Sequence, residues 1–303
     1  MTRYIDPKTD FGFKRLFGQE DSKGILKQFL FDVLELPHPI QDLTYIPPEQ
    51  LPASPEDRTG IYDVYCTDTM GQRFIVEMQR GWQVYIKDRV LYYATFPIIQ
   101  QAQKGAEWRF ELEPIYCIAI LDFVLDDSNE ENDAQYLRRI QLTDVKTQKI
   151  FYDKLTFVYI ELPKFKQSVT QLRTDTDRWI YLLRHMPELQ DIPAELAAES
   201  FTQAFAIARE AALSPQERLQ YEISLKIARD RFATLEGAHI KGLQEGREEG
   251  LQEGRKEGLQ EGLQQGRLEV ARAMLTSGLD STLIAQVTGL PAETIATLGV
   301  SKP

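Results

Sequence analysis

The chain is poor in the residues that most often announce chemistry. Of its 303 residues only Cys66 and Cys117 are cysteines, and both fall in strand-like runs. That excludes a disulfide framework and points to two buried thiols and a reducing, cytoplasmic setting. The three histidines, His38, His185 and His239, are far apart and show no metal-ligand spacing. A zinc site or a Ser-His-Asp triad is therefore not expected. No apolar run is long enough to span a bilayer, and the N-terminus does not read as a secretory signal, so no membrane association is expected. Excess positive charge is also missing. The net charge of −11 argues against a surface made for phosphates. What remains is a chain with 43% hydrophobic and 10% aromatic residues, enough for a real core.

Within that core two acids stand out. Residues 60–67 (GIYDVYCT) and 72–79 (QRFIVEMQ) read as adjacent strands of a hairpin turning at residues 68–71. Asp63 lies inside the first strand and Glu77 inside the second. A lone carboxylate in such a run costs several kcal/mol unless it is paired or binds a metal, on the order given for buried charges. Two that converge suit a hard divalent cation such as Mg²⁺ or Mn²⁺, and a cation so placed polarises a phosphodiester and activates water. Asp63 and Glu77 share a face only if the hairpin has an odd-length loop or a bulge; a two-residue turn would put them on opposite faces. Gln79 shares the face of Glu77, because side chains alternate along a strand. The Met78 carbonyl is a candidate third ligand. Basic residues flank the pair: Lys14, Arg15, Lys23 and Lys27 before it, and Arg80, Lys87, Arg89 and Lys104 after it. They read either as phosphate contacts or as ordinary solvated charge. Lys14 is the candidate phosphate contact before the hairpin, and Arg89 reads as an ion-pair partner for Asp88 or Glu77. Asp10 reads as a helix cap or a further acid.

Around the hairpin, apolar spacing predicts a helix over 21–35, a short strand over 40–46, a Pro-rich loop over 47–55 and a helix over 84–104. Residues 114–123 form a nearly continuous apolar strand of the kind buried on both faces, and further strands are expected over 136–142 and 155–162. The order helix, strand, strand, strand, helix, strand gives an α/β sandwich with one mixed sheet. The domain reading is 1–165 for this unit, 166–236 for a helical region, 237–269 for a repeat and 270–303 for a small helical module. In the repeat, Gly242, Gly246, Gly250, Gly254, Gly258, Gly262 and Gly266 recur at every fourth position. Seven glycines at about 1 kcal/mol each make an isolated helix marginal. The stretch reads either as a helix that packs or self-associates through a small-residue stripe, supporting a homo-oligomer, or as a charged spacer. Residues 279–290 resemble the first helix and turn of a helix-turn-helix, but Ala292-Glu293-Thr294-Ile295 carries an acid where a DNA reader carries cations. A packing or protein-interaction module is the expectation there.

The run Thr9-Asp10-Phe11-Gly12-Phe13-Lys14-Arg15-Leu16-Phe17-Gly18 resembles the opening signature of the PD-(D/E)XK nuclease family transposases, or recombination-promoting nucleases. The resemblance continues through Asp63, Glu77-Met78-Gln79, residues 87–93, the Leu-Gln-Glu-Gly repeats and the tail around Ile284 to Leu290. It implies a restriction-endonuclease-like αβββαβ core and Mg²⁺-dependent DNA cleavage linked to recombination or mobile elements. Asp63 then matches the first motif acid and Glu77 the second. Gln79 stands where the wider superfamily has lysine, and an amide cannot act as a base near neutral pH. Gln79 would position water or a DNA phosphate, with Lys87 as the candidate amine reaching back from the next helix. The rival expectation is a catalytically degenerate nuclease fold that binds nucleic acid or protein.

Overall fold

The computed structural model describes residues 3–47, 49–50, 60–102, 110–125 and 135–300. Its first unit spans residues 1–233. The elements in chain order are α1 (Asp10–Phe17), α2 (Lys23–Leu34), β1 (Leu43–Tyr45), β2 (Glu49–Gln50), β3 (Gly60–Ile61), β4 (Val64–Asp68), β5 (Arg73–Gln79), α3 (Ile86–Gln100), β6 (Ile115–Leu121), β7 (Leu137–Thr143), β8 (Ile150–Glu161), α4 (Asp175–His185), α5 (Glu199–Ile207) and the start of α6 (Pro215–Thr276). Six strands form one sheet in the order β1-β4-β5-β6-β8-β7, and β2 pairs separately with β3. The pairs β5/β6 and β6/β8 are parallel; β1/β4, β4/β5 and β7/β8 are antiparallel. This is the mixed α/β sheet expected from the hydrophobic pattern.

Alternation along the central strands divides the core in two. Val64, Cys66, Phe74, Val76, Met78, Ile118, Ile120, Val158 and Ile160 face one layer, in which α1, α2, α4 and α5 pack around Phe13, Phe29, Trp179 and Phe205. Tyr65, Ile75, Cys117, Ala119, Leu121 and Tyr159 face the other, against Ile86, Val90 and Ala94 of α3. A strand buried on both sides needs apolar residues at every position, which is why 115–121 reads as an unbroken run. Helices α4 and α5 complete the same core as α1 and α2. The first turns of α6 join it through Tyr221, whose hydroxyl accepts from the Asp6 amide at 2.8 Å. Both cysteines are free and buried, on opposite faces of the sheet.

Helix α1 was not separately legible in the hydrophobic spacing, and its opening run has a local explanation. Thr9 is the N-cap, accepting from the Gly12 amide at 3.1 Å. Asp10, read as a possible cap, is instead the first helical residue, and Lys14 reaches its carboxylate at 2.8 Å. Gly12 is required by close approach: a Cβ there would stand 2.1 Å from the Asp6 carbonyl oxygen.

The second unit spans residues 234–303. Helix α6 runs 62 residues, through the whole glycine repeat, so the repeat is helical. The helix leaves its glycines open; a Cβ at any from Gly242 to Gly266 would meet nothing within 4 Å. Helices α7 (Ser281–Thr288) and α8 (Ala292–Val300) fold back on the end of α6 around Ala271, Ile284 and Ile295. Among the described residues no helix is long and apolar enough to cross a membrane. Lys104 and most of the Pro-rich stretch lie outside the described residues.

Candidate metal centre

The hairpin geometry decides whether two acids become a site. Thr67 pairs with Arg73, the Asp68 amide donates to the Gln72 carbonyl at 3.0 Å and the Gln72 amide donates to Asp68 Oδ1 at 2.9 Å, leaving Thr69, Met70 and Gly71 as a three-residue loop. Gly71 takes φ +83, the left-handed conformation that lets such a loop close. The loop is odd and the register carries Val64 opposite Val76, so the same register continued one residue sets Asp63 against Glu77. The predicted first strand breaks at Tyr62 and Asp63, between β3 and β4. There each carboxylate caps the other's backbone. The Asp63 amide donates to Glu77 Oε1 at 3.1 Å, and the Met78 amide donates to Asp63 Oδ2 at 2.7 Å.

Glu77 is 4% exposed. The recess around it is lined by Ile75, Val90, Tyr93, Cys117 and Ala119, which offer a carboxylate no solvation. Burial, and next the facing charge of Asp63, push its pKa up to about 8, against the pull of Arg89. Asp63 is also raised, first by burial and further by Asp10, with the Met78 N–H, Lys14 and Arg89 pulling the other way. Lys14 and Asp10 thus bring the N-terminal signature into the electrostatics of this centre.

A ring of hydrogen bonds closes around Glu77. Gln79 Nε2 donates to Glu77 Oε2 at 3.1 Å, and Gln79 Oε1 accepts from Gln83 Nε2 at 2.9 Å. Gln83 Oε1 accepts from Arg89 Nη1 at 3.1 Å, and Arg89 Nη2 stands 3.6 Å from Glu77 Oε2. The cation that α3 sends to Glu77 is therefore Arg89, its guanidinium 5.0 Å from the Tyr93 ring centroid, while Lys87 is exposed. Residues two apart on a helix differ by about 200° in direction, so the two side chains leave α3 on different faces. Gln83 is the residue that sequence reasoning missed. It sits in the loop after β5, where a single glutamine carries no periodic signal.

A match to known families adds what geometry cannot. A family model described as "PD-(D/E)XK nuclease family transposase" matches residues 7–238. The chain belongs to that family. A second model, "Rpn/YhgA-like nuclease family, C-terminal HTH domain", matches residues 264–300, the segment holding α7 and α8. No curated protein and no solved structure matches the chain. PD-(D/E)XK nucleases generally use divalent metals, and the family and helix-turn-helix matches together point to DNA as the partner. Among the described residues no group of three His, Cys, Asp or Glu side chains gathers as a metal cage. The donors are two carboxylates and an amide. That set fits Mg²⁺, which typically takes one or two carboxylates and fills its shell with water and phosphate oxygens.

Proposed function

We propose that this PD-(D/E)XK family member is a divalent-cation-dependent DNA endonuclease serving recombination or mobile elements, with Asp63 and Glu77 holding Mg²⁺ or Mn²⁺. The observation that carries the reading is the setting of Glu77: a buried carboxyl faces a second acid, with one guanidinium 3.6 Å away. Two acids kept this way are costly to the fold, and a divalent cation removes that cost.

When bound, the cation would supply Lewis-acid polarisation of the phosphodiester and lower the pKa of water. The chain's own residues do the rest. Gln79 neither takes nor gives a proton near neutral pH, so its part is to orient water or a phosphate oxygen by hydrogen bonds. Gln83 fixes which way the Gln79 amide faces. Arg89 offsets negative charge at Glu77, and in this reading Arg89 and Lys14 meet a DNA phosphate. Lys87 is not given a proton-transfer role.

The C-terminal helix-turn-helix offers Ala292, Glu293, Thr294 and Thr297 on α8 and no lysine or arginine between 291 and 300. We assign it to packing or partner contacts rather than to base reading. A dimer, favoured because cutting both strands needs two centres, would draw on this module and on the open glycine stripe. The two free buried thiols are compatible with the cytoplasm.

The test is nicking and linearisation of supercoiled plasmid with Mg²⁺, Mn²⁺ or EDTA, for wild type, Asp63→Ala and Glu77→Ala. Metal-dependent cutting lost in both variants is expected. Wild type that binds DNA but cuts under no metal would refute the proposal in favour of a degenerate binding fold.

A further inference from the structure

The loop from β5 to α3 exposes aromatics beside the candidate metal centre. Trp82 is 50% and Tyr85 72% exposed, with Val84 between them at 64%. Rings of this size ordinarily bury 150–250 Å², roughly, and dominate cores and interfaces. Here they stand on a loop pinned on both sides. Arg80 Nη1 reaches Asp6 at 3.3 Å before them, and between them Gln83 is bonded to both Gln79 and Arg89. The rings are thus carried by a segment whose position is fixed to the residue that would orient the scissile phosphate.

We propose that Trp82 and Tyr85 form a stacking platform for unpaired bases, so that the substrate is DNA with single-stranded character at or next to the cut. This rests on the nuclease reading of the same site. Aromatic faces flanked by Arg80 and Arg89, each also held by an acid of the protein, are a composition suited to single strands, in which each base offers a free π-face and each linkage a phosphate. In an intact duplex those faces are stacked internally. Gln83, between the rings, is hydrogen-bonded to Gln79, the residue proposed to hold the substrate phosphate, which argues for the substrate as the occupant.

The test uses the full chain, in EDTA, with a fluorescein-labelled 20-nucleotide single strand, its duplex and an abasic strand of equal length. Proteins are wild type, Trp82→Ala, Tyr85→Ala, Trp82→Phe and Tyr85→Phe, each checked for wild-type circular dichroism. Wild type should bind the single strand more tightly than the duplex or the abasic strand. Each alanine variant should lose roughly 5- to 100-fold on the single strand and little on the abasic strand, with the phenylalanine variants retaining most of the affinity. Equal binding of all three probes, or an equal loss on all three in the alanine variants, would overturn the platform. Plasmid cutting by the same wild-type sample separates the two readings. Cutting without base-dependent binding removes the platform and leaves the nuclease. Base-dependent binding with no cutting under any metal keeps the platform and removes the nuclease.

Discussion

Two buried glutamates lie on the same face of one sheet and are treated in opposite ways. Glu161, the last residue of β8, is fully buried and fully answered. Arg138 Nη2 stands 2.6 Å from one oxygen, Lys164 Nζ 3.3 Å from the other, and the Leu125 amide donates at 2.7 Å. Glu77, two strands away in β5, accepts from the Asp63 amide and Gln79 Nε2, both at 3.1 Å, but faces another carboxylate and has one guanidinium at 3.6 Å. Burial alone therefore does not mark a functional acid. A carboxylate whose charge the protein cancels is architecture; one left facing a second acid is the one we propose as a metal ligand. The cluster of Asp6, Lys8, Arg80 and Asp122, with contacts of 3.3–3.9 Å, belongs with Glu161, because its two acids meet two cations.

Substitution should separate the two glutamates most sharply. Glu77→Ala or Asp63→Ala is expected to lower the plasmid cleavage rate by at least about 10²-fold, the scale for removing one preorganised electrostatic group, without unfolding the protein. Glu161→Ala should do the reverse. Leaving Arg138 and Lys164 buried without their partner should cost about 3–5 kcal/mol in urea unfolding, with cleavage per folded molecule retained. A Glu161 variant as stable as wild type would break the comparison.

Proton linkage gives the next effect. The folded-state pKa of Glu77 lies above its unfolded value, so between about 4.5 and about 8 the folded state holds a proton that the unfolded state has lost. Metal-free stability should therefore fall as pH rises through that window, with a slope approaching about 1.4 kcal/mol per pH unit. Glu77→Gln should flatten the slope. Mg²⁺ should bind more tightly as pH rises through the same window and should displace the proton, which calorimetry in buffers of different ionisation enthalpy would read. A metal affinity indifferent to pH between 6 and 8.5 would count against Glu77 as a ligand.

A smaller, sharper test is Asp63→Asn. It removes the facing charge and should lower the Glu77 pKa, read by carbon NMR of the labelled glutamate carboxyl. The smallest expected effect lies in the other unit. Gly254→Ala meets open space and should raise helix stability by about 1 kcal/mol. If it instead weakened self-association, the open stripe would be an interface rather than a spare helix face.

Much of this was legible in the residues. Apolar runs and their alternation predict the central strands, because a strand buried on both faces tolerates nothing else. Helix 23–34 follows from its periodicity. Other features were not legible. Helix α1 is eight residues long and anchored by contacts far away in the chain, such as the Phe11 amide to Ser224 Oγ at 3.2 Å. The long strand β8 begins five residues earlier than its apolar stretch, since its first residues pair with β7 alone, beyond the end of the pairing with β6. The repeat's glycines favoured a packed helix over a spacer without excluding the spacer.

For the proposed centre, the sequence determined the candidate donors and their chemistry: two acids in strand-forming runs, an amide two residues on, and no histidine near them. Side-chain alternation within one strand then placed Gln79 with Glu77. Whether Asp63 joins them depended on the parity of a loop, and the three residues from Thr69 to Gly71 settled that. Which cation answers Glu77 depended on the direction of α3, which aims Arg89 inward and leaves Lys87 outside. Composition and period fix which faces of the chain must be buried, because the hydrophobic effect is local and undirected. Charge compensation depends on distances between segments far apart in sequence, and those exist only after the chain has folded.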